Sequence, residues 1–331
     1  MSEERTVPAA QTAAPPIEVD AEDLAVVREA LDDLRREIRL RFGGGDHDSP
    51  AQHGIAFDVL FDELRRRVST LGMSERSGEV DEFGMDEVVL RRARPVFDFL
   101  YQRYWRVDLR GIENVPAEGP CLLVANRSGL LPYDGLLLAH AIERERGGPR
   151  PRFTVADWLV TLPFAQPYLA RLGGVRACRE NVDRLLSSGH PVIVFPEGAK
   201  GATKVFRERY RLQRFGRGGV IRVALESGVP LVPVGIVGAE EAHPVLFKWF
   251  PPGRPVPFVP VTPTFPLLGP LGALPLPTKW VIRIGAPVEL SDLAPGAGSD
   301  ALLLSRLTED LRAEIQALVD TGLRARESVW S

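Results

Sequence analysis

Long hydrophobic runs are missing from this chain of 331 residues. No apolar stretch reaches the roughly 18 residues that cross a bilayer. Residues 1–20 also lack the basic flank and apolar block of a secretory leader, so neither a spanning anchor nor a signal is expected. Cysteine is nearly absent. Cys121 and Cys178 stand in separate segments without metal-ligand spacing, which argues against a disulfide framework or a metal site and fits a reducing compartment. Charge of one sign is missing too: the formal net charge of -3 offers nucleic acid no basic field, so no nucleic-acid partner is expected. Lysine is scarce, with Lys200, Lys204, Lys248 and Lys279 the only four among 41 basic residues. Histidine is scarce as well, and each of the five can be weighed as a base.

What is present is an ordinary globular balance, 44% hydrophobic and 26% charged, enough for one main domain with helical additions. Residues 1–20 are rich in Ala, Pro and Thr without periodicity and read as a disordered tail. Residues 21–104 read as a helical extension: amphipathic spacing over 21–42, a Gly-rich linker at 43–54, a second helix over 55–71, and a third over 86–104 interrupted by Pro95. The first two helices are candidates to cover the main domain, to pair in a homodimer or to touch a membrane.

From residue 105 to 295, strand and helix patterns alternate. Strands are expected at 107–112, 121–126, 152–156, 192–196, 231–237 and 280–284, with helices over 134–146, 158–172 and 218–226. This predicts an α/β domain with a largely parallel sheet flanked by helices. Residues 296–331 hold a closing amphipathic helix. Residues 242–279 are too proline-rich for a helix or central strand and too apolar for a solvated loop. They read as an irregular segment packed over the sheet, or as a rigid apolar wall facing acyl chains or a bilayer.

Two strand-end turns carry the chemistry. NRSGLLPYD at 126–134 follows CLLVA, and FPEGAKG at 195–201 follows VIV. Two further blocks stand in order with them: GGVRACR at 173–179 and VPLVP at 229–233. Together they resemble the four blocks of the lysophospholipid and glycerolipid acyltransferase superfamily. The resemblance implies an acyltransferase-like α/β fold and an acyl-CoA or acyl carrier protein co-substrate, with no bound cofactor. It further implies a lysophospholipid or glycerolipid hydroxyl as acceptor, and a cytoplasmic site peripheral to the inner face of the membrane. In that family a histidine deprotonates the acceptor and an aspartate orients it.

Position 127 breaks that scheme, because arginine stands where the family has its histidine. Guanidinium has no acceptor and stays charged in proteins, so it cannot take a proton from a hydroxyl. Arg127 and Asp134 are therefore expected to form an ion pair, and a catalytically inactive, lipid-binding relative is the alternative to an enzyme. The resemblance places Asn126, Ser128, Gly173, Arg179, Glu197, Gly198 and Lys200 in substrate binding. Arg179 and Lys200 are suited to a phosphate. Glu197 is more readily an acceptor of backbone N–H groups than an acid or base. Ser128 lacks a base that would make it a nucleophile. Among the histidines, His140 lies about 600° around the helix from Asp134 and should face away. His243 follows a strand near the expected site, while His47, His53 and His190 fall in linker or turn.

Overall fold

The structure, a computed structural model, describes residues 80–129, 131–160, 166–216, 218–249, 259–265, 274–290 and 297–330. The tail, the Gly-rich linker and the two helices expected before residue 72 lie outside the described residues.

Helix α1 (Glu87–Phe99) starts at Asp86, whose carboxylate accepts the N–H groups of Val88 and Val89. Pro95 lies inside α1 and does not end it. The proline is on the solvent face, where water can reach the carbonyl it frees, while Ala93, Val96 and Phe97 hold the buried face. The irregularity comes later, as a π turn over Leu100–Tyr104.

The sheet is formed by β1 (Asp108–Arg110), β2 (Leu122–Ala125), β3 (Arg152–Val155), β4 (Gly174–Arg176), β5 (Val192–Val194), β6 (Leu231–Val237) and β9 (Val281–Ile284), in the order β1-β9-β6-β2-β5-β3-β4. Neighbours are parallel throughout except β6 and β9, so β1 and β9 run against the other five. Both faces are covered, which is why β2 reads as an uninterrupted apolar run. Leu123 and Ala125 enter a core with α1 and helix α2 (Tyr133–Arg146). Leu122 and Val124 enter a second core with α5 (Arg179–Ser187), α7 (Gly219–Ser227) and α9 (Ala301–Ala325). Helix α9 lies so close to β6 that a Cβ on Gly235 would stand 2.8 Å from Leu318 Cβ and from Val319 N.

Three local expectations are corrected. In place of the helix expected over 158–172, the described residues hold two short ones, α3 (Asp157–Val160) and α4 (Gln166–Arg171), with Pro167 in the first turn of α4, where a missing N–H costs nothing. Strand β4 was not expected; its three residues, Gly174, Val175 and Arg176, give too short a pattern to read. Within 242–279 there is a two-stranded antiparallel ribbon, β7 (Phe247–Trp249) with β8 (Val259–Val261). The end of that segment packs at the π turn, where Pro275 O accepts from Tyr104 Oη at 2.6 Å and Leu276 O from Trp105 Nε1 at 3.1 Å.

His140 faces away from Asp134 and into α1. Its ring packs against Phe97 and Tyr101, and Nε2 lies 3.2 Å from Asp98. Burial, with the charge of Arg150, lowers its pKa to about 4, against the opposing pull of Asp98. A folded-state value below the unfolded 6.5 means that the unfolded chain binds the extra proton. The neutral ring's full contribution is present above pH 6.5 and is lost as pH falls toward 4, about 3 kcal/mol in all. Urea denaturation of the native chain and of His140→Phe across this window should show a shallower acid loss in the variant.

Candidate active site

Strands β2, β5 and β6 are adjacent and parallel, so the turns that follow them meet at one end of the sheet, where α/β folds place their sites. Arg127 lies two residues past β2, Glu197 three past β5, and Glu240 on the short helix α8 (Ala239–Ala242) after β6. All three are buried.

Arg127 Nη1 donates to Asp134 Oδ1 at 2.9 Å, with both side chains almost fully withdrawn from water. The carboxylate is held in place independently, accepting Ser128 N at 3.0 Å and its own helix's Gly135 N at 2.8 Å. These contacts set the Asp134 carboxylate beside position 127. The group it meets there is a guanidinium, whose carbon lies 4.8 Å from the ring centre of Phe195.

Glu197 ties the turns together through backbone donors. One oxygen accepts Arg127 N at 2.8 Å and the other Gln213 N at 2.7 Å. Lys204 Nζ then links Glu197, at 3.4 Å, to Glu240, at 2.8 Å. The second oxygen of Glu240 accepts Tyr210 N at 2.9 Å. Burial pushes Glu240 up to about 6 against the pull of Lys204. Burial alone would lower Lys204, but the two carboxylates win and raise it. Gly201 is required for the β2 and β5 turns to touch, since a Cβ there would stand 2.5 Å from Glu197 Cβ and 2.8 Å from Arg127 Cβ.

The remaining candidates divide. Asn126 bridges strands: its amide donates to Ile236 O at 3.0 Å and accepts Ile236 N at 2.7 Å. Ser128 Oγ is buried without a hydrogen-bond partner among the described residues. Gly198 opens the short helix α6 (Gly198–Ala202) with φ +58°. Lys200 is exposed on the same helix, at the rim of a cleft of about 960 Å³ that reaches Arg214, Arg222 and the first turns of α9. Arg179 is at the same sheet end but beyond edge strand β4, and its guanidinium is taken by Asp183 and Glu226. Gly173 precedes β4, at the opposite end of the parallel strands from Arg127, and packs near Arg152 and Met85. Among the described histidines, only His243 stands near this end of the sheet, its ring stacked on Tyr133 at 5.7 Å. Sequence reasoning missed Lys204 and Glu240. The rarity of lysine was the one available signal for Lys204, and nothing local marks Glu240. Among the described residues no cluster of three ligand-type side chains could hold a metal, and no helix is long and apolar enough to cross a membrane.

Residues 106–237 match the acyltransferase family model. A relative from Mycobacterium leprae, an uncharacterised protein, is 42% identical over 255 residues, covering 76% of this chain and 70% of its own. The chain belongs to the glycerolipid acyltransferase superfamily. A chloroplastic 1-acyl-sn-glycerol-3-phosphate acyltransferase of Brassica napus is 24% identical over 152 residues, 43% of this chain and 40% of that protein. The crystal structure of the 1-acyl-sn-glycerophosphate acyltransferase PlsC from Thermotoga maritima aligns with TM-score 0.48 and 18% identity, over 82% of this chain and 98% of that one. Membership supports an acyltransferase function and implies an acyl donor and a lipid acceptor as partners. The Arg127 and Asp134 pair and the polar layer of Glu197, Lys204 and Glu240 lie together at this end of the sheet, joined by the bond from Arg127 N to Glu197.

Proposed function

We propose that the chain transfers an acyl group from acyl-CoA or acyl carrier protein to a lysophospholipid or glycerolipid hydroxyl at a membrane surface. The observation that carries this reading is the cleft beside the Glu197 turn, with Lys200 and Arg214 exposed at its rim and Phe215 and Leu304 buried along its wall. Cations over an apolar floor suit an amphiphile with a phosphate. In the reaction the acceptor oxygen adds to the thioester carbonyl, the thiolate leaves, and the hydroxyl proton passes to solvent or to the departing sulfur. Placement of the two reactants supplies the rate, and a guanidinium in place of a base at position 127 lowers it by about 10² to 10⁴ relative to base-assisted transfer.

The buried Arg127 and Asp134 pair favours a second reading, a relative that binds acyl groups or lipid without turnover. Labelled acyl-CoA and acyl carrier protein offered with a panel of lysophospholipid acceptors separate the two. Transfer that exceeds the protein-free control supports the first. Binding without transfer supports the second. Lys200→Glu with Arg214→Glu should weaken binding of a phosphate-bearing substrate by about tenfold or more by replacing attraction with like-charge repulsion. Calorimetric titration with lysophosphatidate and with acyl-CoA shows which of them the cleft holds, and unchanged affinity for both would remove the cleft from the proposal.

A further inference from the structure

The ribbon β7–β8 presents an apolar face that nothing else in the described residues accounts for. Cross-strand pairing sets Phe247 opposite Val261 and Trp249 opposite Val259, so side-chain alternation places these four on one face and Lys248 with Pro260 on the other. Phe247 and Trp249 are each 57% exposed, the most exposed aromatic side chains among the described residues. A two-stranded ribbon does not usually hold such a face in water by itself.

We infer that this face is a docking surface for a bilayer carrying anionic headgroups. Three observations select that occupant. First, the foot of the ribbon is tied to a basic turn: Phe206 N donates to Val245 O at 2.7 Å, and Arg207, Arg209 and Arg211 are exposed just beyond. Glu208, which lies between them in sequence, is half-buried and accepts from Val205 N. Second, aromatic side chains beside cations are the composition that settles at a headgroup boundary, with the rings in the acyl edge and the charges on phosphate. A second copy of the chain fits less well. Four side chains fall short of the roughly 800 Å² per partner of a standard interface, and pairing would bring two basic turns together. Third, the ribbon leaves the molecule at the site: His243, four residues before Phe247, stacks on Tyr133, the neighbour of Asp134. A bilayer seated on the ribbon therefore delivers lipid to the strand ends that carry Arg127 and Glu197.

The inference rests on the reading of a lipid acceptor for its purpose, but its test is a binding measurement. The full chain and Phe247→Ser with Trp249→Ser are floated with phosphatidylcholine vesicles, with and without phosphatidylglycerol. The expected result is co-flotation of the native chain with the anionic vesicles and a loss of at least about tenfold in partition for the variant, because interfacial affinity follows buried apolar area and charge together. Both residues are exposed, so equal thermal unfolding of the two proteins shows that the fold is kept. Native protein left in the soluble fraction with both vesicle types overturns the inference. So does co-flotation that the double substitution does not change, and so does concentration-dependent self-association that the substitution abolishes in the absence of vesicle binding. Transfer to a short-chain, monomeric lysophospholipid, measured in parallel, reports on the acyltransferase reading alone. Its absence would sink that reading and leave the vesicle result standing.

Discussion

Replacing Arg127 by histidine raises the rate of acyl transfer by about 10² to 10⁴, the range that a positioned general base contributes. The surroundings of position 127 already suit an imidazole. Its backbone N–H is fixed by Glu197 at 2.8 Å, and Asp134 is held by two backbone donors that do not depend on the arginine. A ring at this position shares the turn with Asp134, and an imidazole with one nitrogen bonded to that carboxylate has the other free to accept the hydroxyl proton. The shorter side chain also vacates space over Phe195, where the guanidinium lies. Two controls make the result specific. Arg127→Lys supplies a cation without an accessible lone pair near neutrality and should stay at the native rate. In the histidine variant the rate should climb as pH passes upward through the imidazole range, since only the neutral ring is a base. A folded Arg127→His protein that is no faster than the native chain, with either donor, would show that the missing base does not limit turnover.

Legibility in the sequence followed the range of the interaction. Strands β2, β5, β6 and β9 were readable because burial on both faces writes itself as a short apolar run ending in a turn. The Arg127 and Asp134 pair was readable because both partners lie in one turn, seven residues apart. The bridge from Lys204 to Glu240 joins residues 36 apart through the end of a third strand, and no local pattern reports it. Gly173 shows the complementary difficulty. Its spacing to Arg179 matched a motif, but spacing does not say which end of a strand a residue occupies, and the structure sets Gly173 at the end away from Arg127. Asn126 was placed with the substrate-binding residues by its position in the NRSGLLPYD block. In the structure its amide substitutes for a backbone pair between β2 and β6 just where β2 has ended. The ribbon was hidden by proline: β8 is Val-Pro-Val, and Pro260 is tolerated because a two-stranded ribbon has no central strand.

Arg127→Ala should cost about 3 to 5 kcal/mol of stability, because it leaves one half of a buried ion pair in place. The size of the effect discriminates between two views of the pair. A solvated pair contributes up to about 1 kcal/mol, so a loss of that order would mean that water reaches Asp134. Side-chain exposures of 4% for Arg127 and 1% for Asp134 argue for the larger figure. The two backbone N–H groups on Asp134 temper it, since they remain to solvate the carboxylate after the arginine is gone, and they set the expectation at the lower end. Removing the second charge should then restore stability: Arg127→Ala with Asp134→Ala is expected to be more stable than Arg127→Ala alone, although Ser128 N and Gly135 N lose their acceptor. Urea denaturation midpoints with unchanged slopes measure this coupling directly. If the double variant is the less stable, Asp134 holds the turn chiefly through its backbone donors, and the arginine is a tenant of that turn. In that case an exchange at position 127 carries little structural penalty, and the histidine variant starts from an intact site.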